Sequence, residues 1–217
     1  MPVTNFDPIS LAVALALVAF IPTVAIVSTT FLKISVVMVL LRNALGVQQV
    51  PPNLALYGLS LILTVFIMAP IGQEMHRQFL AEPQTTQSVE RMFNAVSKGA
   101  EPMRAFLLKN SDRDQRSFFV KATRQLWGEK MSASVKEDDF LILVPSFMIT
   151  ELIEAFKIGF LLFLPFIVID LIISNILLAM GMMMLSPVMI SMPLKLFLFV
   201  MVDGWTRLVQ GLVLSYI

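Results

Sequence analysis

Eight ionisable side chains sit where the sequence is otherwise apolar: Lys33, Glu151, Glu154, Lys157, Asp170, Lys195, Asp203 and Arg207. Charges inside membrane segments are costly and mark function by default. The chemistry such residues could do is a proton or ion relay, as in a coupled transporter. Their spacing argues for something else. Glu151, Glu154 and Lys157 stand at i, i+3 and i+6, which predicts that all three lie near one helix face. Glu154 and Lys157 can pair within the helix, and Asp203 and Arg207 form an i, i+4 pair. Pairs neutralised on their own helix make poor relays, whereas a one-sided charged face suits a seam between subunits. Lys33, Asp170 and Lys195 have no partner nearby in sequence. They call for a mate on another helix or subunit, a water-filled pore, or a side chain that snorkels to the interface.

A second group carries no charge. "GMMMLSPVMISMP", Gly181 to Pro193, holds five methionines in thirteen residues, against fifteen in the 217 of the whole chain. Met is unbranched and deformable, so it adapts to whatever touches it. Here it stands beside Gly181, Pro187 and Pro193, where a regular helix is least expected to run. A loop bounded by helix breakers has no obvious core for these side chains to fill.

The elements that must position these residues follow from composition. Hydrophobic residues make up 57% of the chain and charged residues 14%, against about 25% charged in soluble domains. The mean hydropathy is +0.82. This is the composition of a membrane protein. A net charge of +1 gives a nucleic-acid partner no electrostatic support. With no cysteine and only His76, neither a thiolate nor a multi-histidine metal site is available, and no cofactor is expected. Signatures of hydrolase, zinc-protease and P-loop chemistry are missing, so the chain does not read as an enzyme.

Charge divides the chain into three regions. Residues 74–139 hold 21 of the 31 charged side chains. The first region, 1–73, reads as a hydrophobic helical hairpin. Its spans are Pro8 to Leu32 and Leu54 to Gly72, each about the 20 residues that a bilayer crossing needs. Gly46, Pro51 and Pro52 make the turn. No basic side chain precedes Lys33, so the first span reads as a retained membrane segment rather than a cleaved signal. The second region, 74–139, shows broken helical periodicity, as at Val89, Met92, Phe93 and Val96, and predicts a small helical insertion. The third, 140–217, predicts a longer hydrophobic hairpin with the methionine stretch at its tip, and Pro145 and Pro165 are expected to kink or break its helices. The fold class is therefore all-α: membrane-associated helical hairpins with kinked helices and a small polar insertion. Lys33 and Arg42 flank the first turn, which places that turn in the cytoplasm and residues 74–139 in the periplasm.

Three stretches carry a resemblance: "LLRNALGVQQVPPN" (Leu40 to Asn53), "FIVIDLIISNILLAMGMMMLSP" (Phe166 to Pro187) and "LKLFLFVMVDGW" (Leu194 to Trp205). Together they resemble the SctR/FliP family, the core export-gate proteins of bacterial type III secretion systems. The want of a convincing signal peptide favours the virulence injectisome branch, with YscR-like members. The resemblance implies a pentameric ring in the bacterial inner membrane, joined by S, T and U subunits and a V-type export protein, with unfolded secreted proteins passing through its centre. It also implies that much of the gate stands above the membrane plane. A methionine-rich loop closes the pore as a gasket in this family, and maps here onto Met182, Met183 and Met184, with Gly181 and Pro187 as the hinges of the loop. A proton-coupled secondary transporter is the alternative. It would show inverted repeats around a midplane site, and no repeat relates the two halves of this chain.

Overall fold

The computed structural model describes residues 19, 23–24, 26–47, 49–81, 96–182 and 184–217. Most of the expected first span, Pro8 to Leu32, and the periodic residues Val89, Met92 and Phe93 lie outside the described residues. Seven helices are described: α1 (Phe31–Ala44), α2 (Asn53–Leu80), α3 (Glu101–Asn110), α4 (Arg113–Ser132), α5 (Phe140–Ala179), α6 (Pro187–Met201) and α7 (Gly204–Leu214). There is no strand among the described residues, and the all-α class holds.

α1 is the centre of the bundle. Ile34, Val37, Met38 and Leu41 recur at the helical interval i, i+3, i+4, i+7 and all are completely buried. They meet Leu56 and Leu63 of α2, Ala155 and Phe166 of α5, Phe199 of α6, and Leu208 and Leu212 of α7. Each such side chain taken from water stabilises the fold by about 1.5–3 kcal/mol, so this one short helix gathers α2, α5, α6 and α7 around it. Lys33 belongs to the same helix and is buried, not beside a turn. Of the two basic residues expected to flank the α1–α2 turn, only Arg42 lies at it. Arg42 Nη1 donates to the carbonyl of Pro51 and to Asn53 Oδ1, which ties the end of α1 to the start of α2.

α2 and α5 are long and apolar enough to cross a membrane. The pair α6 and α7 passes the same test together, bent by 61°. Pro145 and Pro165 do not break α5, which runs unbroken for 40 residues. Each proline removes one hydrogen bond, and the ladder on either side keeps the segment helical. The sharp bend comes instead at Val202–Asp203. Asp203 takes a left-handed conformation (φ 53°) there and Gly204 follows. A Cβ on Gly204 would overlap the ring of Phe199, so only glycine lets α7 fold back against α6 at this point.

The polar region does not stand apart from the apolar helices. α2 continues through residue 73 to Leu80. Phe106 and Leu107 of α3 join Leu143 and Phe147 of α5 and Tyr216 in a second core, flanked by Ile67, Met68 and Ile71 of α2. α4 is capped at its start by Asp112, whose carboxylate accepts from the backbone N–H of Asp114 and Gln115. The Asp112 N–H itself donates to Thr150 Oγ1 of α5 at 2.9 Å. The insertion is thus pinned along the first eleven residues of α5.

Candidate functional site

At one end of the bundle α5 stops in the methionine stretch. Gly181 takes φ 74°. Its N–H donates to the carbonyl of Leu178 (3.0 Å), and the N–H of Met182 donates to that of Leu177 (2.9 Å). Those two bonds are the Schellman motif, which satisfies the last carbonyls of a helix and needs a left-handed residue, best supplied by glycine. Four residues on, Ser186 is the N-cap of α6 and Pro187 its first residue, where a missing N–H costs nothing. Gly181 and Pro187 therefore bound the loop as expected, each by a separate backbone device. Pro193 does not interrupt anything and lies inside α6.

The described methionines at and just before this loop are open to the surroundings. Met184 is fully exposed, and Met182 and Met180 are about half exposed at 43% and 56%. Met183 lies outside the described residues. A protomer has no packing use for Met184, because nothing in its own fold covers it. This tip shares its end of the bundle with the α1–α2 turn. Lys195 of α6 donates to the carbonyl of Ala44 at 3.4 Å.

The charges resolve into closed sets. Lys33 Nζ lies 3.5 Å from Glu151 Oε1, with both side chains almost wholly buried. Tyr216 donates its hydroxyl to the other oxygen of Glu151, and Lys33 sits over the Tyr216 ring at 4.1 Å. Burial, then the neighbouring carboxylate, push the Tyr216 phenol well above its ordinary range, so it stays a donor. Lys195 pairs with Asp170 at 2.6 Å, and Ser191 donates to the same carboxylate. Lys33, Asp170 and Lys195 thus find their mates on other helices of the same chain.

Glu151, Glu154 and Lys157 do not share a face. Three residues along an α-helix turn it by 300°, so each step shifts the direction by 60° and two steps by about 120°. Glu151 is turned into the protomer at 2% exposure. Glu154 and Lys157 pair with each other at 2.8 Å on the outside of α5, with side chains 42% and 65% exposed. Asp203 does not pair with Arg207 either. It accepts from Thr206 Oγ1 at 3.0 Å, at the bend.

Tyr216 escaped the sequence reading, because one tyrosine near the end of a polar-tipped helix carries no signal. The Lys33–Glu151 and Asp170–Lys195 pairs did leave a trace. Lys33, Asp170 and Lys195 stood without a local partner, which called for mates on other helices, but their signs alone did not say which acid each lysine meets. Among the described residues no group of acidic or histidine side chains could hold a metal ion.

Comparison with known proteins decides the family. The FliP family model matches residues 14–212. The chain belongs to the FliP family. The resemblance carried by the segments around the first turn and the methionine loop is thereby borne out. Similar proteins include the Yop proteins translocation protein R of Yersinia pestis, 49% identical over 210 residues that cover 97% of each chain. The harpin secretion protein HrcR of Erwinia amylovora is 46% identical over 217 residues, the full length of both. The virulence protein YscR of Salmonella typhimurium is 44% identical over 215 residues, again 97% of each chain. This FliP-family chain is a membrane protein: its apolar helices α2 and α5 and its family agree on that.

Proposed function

We propose that the chain is the core subunit of the export gate of a type III secretion system, and that it forms the conduit for unfolded proteins across the bacterial inner membrane. Relatives named for translocation and secretion match it over nearly its whole length. The observation that carries the reading is the methionine tip. Its backbone is fixed at both ends by a Schellman cap and a proline start, while the thioethers of Met182 and Met184 are exposed. A pentameric ring brings five such tips together on one axis. Met182, Met183 and Met184 then act as a gasket, with Gly181 and Pro187 as hinges. Thioethers exclude water and ions when packed together, yet deform around a passing chain. The S, T and U subunits and the V-type export protein complete the apparatus around the ring.

Residues 74–139 lie in the periplasm in this reading, and the methionine tip lies toward the cytoplasm beside Arg42. Support comes from the shared end of the tip and the α1–α2 turn, with the polar helices at the other end by Glu151 and Tyr216. Glu154 and Lys157 face a neighbouring subunit at the seam, and Glu151 supports that seam from within by fixing α5 on α1. No observation favours a proton relay, since both buried lysines are already neutralised by carboxylates.

The test is leak. Deleting Met182 to Met184 in cells expressing the complete gate is expected to admit a small membrane-impermeant solute through the resting pore. A deletion mutant that assembles and stays as tight as wild type would end the gasket assignment.

A further inference from the structure

A groove of about 650 Å³ runs between α5 and the bent pair α6–α7. Its walls are apolar and include Leu161, Leu162, Phe166, Leu198 and Phe199, and one charged side chain, Arg207, stands at it. The volume falls in the range of about 300–1,000 Å³ typical of small-molecule sites. Arg207 is exposed and has no ion-pair partner among the described residues. Arginine cannot shed its charge, so this cation needs a counter-charge wherever the surroundings are apolar.

α5 to α7, with the bend between the last two, carry four acids. Glu151 is held by Lys33 and Tyr216, Glu154 by Lys157, and Asp170 by Lys195 and Ser191. Asp203 is exposed at the bend, accepts from the Thr206 hydroxyl and forms no ion pair with Arg207. A second copy docked through the same helices could therefore offer Arg207 only Asp203.

We infer that this groove is a binding site for an anionic phospholipid, with an acyl chain along the apolar walls and the headgroup phosphate on the Arg207 guanidinium. Arginine matches a phosphate with two parallel N–H donors. Leu161 and Phe160 are exposed on the same helix, so the groove opens onto a surface already suited to lipid. The site depends on the chain being a membrane protein and not on its being an export gate, so a failed leak assay leaves it standing.

The experiment is native mass spectrometry of the full-length chain, alone and as its purified oligomer, equilibrated with equal amounts of dioleoyl phosphatidylglycerol and dioleoyl phosphatidylcholine. Wild type is expected to retain the anionic lipid by about fivefold, the effect of one basic side chain at an anionic surface. Arg207→Gln should bring the two lipids to parity and Arg207→Lys should keep the preference. Leu161→Trp, which fills the groove, should lower retention of both while helicity is unchanged. If that variant misfolds, the Arg207 pair decides alone, because an exposed side chain there leaves the core untouched. The site is overturned if wild type shows no preference, if Arg207→Gln retains as much phosphatidylglycerol as wild type, or if lipid held by the single chain is lost in the oligomer. It is also overturned if Asp203→Asn and Arg207→Gln weaken the oligomer equally with lipid retention unchanged, since Arg207 would then be paired with a neighbouring copy.

Discussion

Replacing Lys33 by methionine keeps the length and apolar stem of the side chain and removes only its charge. Glu151 would be left 2% exposed, 118 residues away in sequence, with Tyr216 as its one remaining partner. Breaking a buried pair from one side typically costs about 3–5 kcal/mol, because the surviving charge stays desolvated. For a chain of this size each kcal/mol moves the melting temperature by about 2–4 °C, so Lys33→Met should melt roughly 6–20 °C lower. The partner substitution separates pairing from simple packing. Lys33→Met with Glu151→Leu removes both charges, and replacing a buried pair by apolar residues is often neutral or stabilising by about 1–4 kcal/mol. The double variant should therefore recover most or all of the loss. Tyr216→Phe, which takes one donor from the carboxylate, should cost about 1.5–3 kcal/mol. The assay is thermal loss of helical circular dichroism for the four purified proteins in one detergent. Two results would refute the reasoning. In one, Lys33→Met melts with wild type, so the pair is not desolvated. In the other, the double variant melts below Lys33→Met, so Lys33 and Glu151 act through shape rather than charge.

Replacing Met182, Met183 and Met184 together by Leu should keep the gate tight to a small solute, since such swaps usually cost less than about 1.5 kcal/mol. Replacement by Ala should leak, and secretion measured alongside should slow with Leu because a branched chain yields less. Gly181→Ala should weaken the loop by about 1–2 kcal/mol, the cost of a side chain in a left-handed position, and faster proteolysis at the methionine stretch would show it. Lys157→Ala should leave the melting of the isolated chain unchanged, because its pair with Glu154 is on the surface, but should reduce the ring recovered by size-exclusion chromatography. With no native cysteine, Gln125→Cys on the exposed side of α4 should react with an impermeant maleimide from the periplasmic side. Labelling only after the inner membrane is broken would reverse the topology.

Some of this architecture is written in local sequence. Long apolar runs make α2 and α5 helical without help, since both period and hydrophobicity point one way. The loop at Gly181–Pro187 is equally local: a left-handed cap needs glycine, a first helical turn tolerates proline, and neither depends on the rest of the chain. Three features needed the folded chain. Proline inside α5 was expected to kink or break the helix; α5 is not broken, and the sharp bend falls at Asp203–Gly204, where α7 must clear the ring of Phe199. The spacing of Glu151, Glu154 and Lys157 fixed their order along α5 but not which direction is inward. That is set by α1, whose buried Lys33 draws Glu151 to it and leaves the other two outside. The apolar helix at the centre of the bundle was legible only as a hydrophobic leg with two basic residues. Its burial, and with it the pairing of Lys33 with Glu151, follows from contacts made by residues far apart in sequence. Periodicity reports which side chains share a face, and only tertiary packing decides what that face meets.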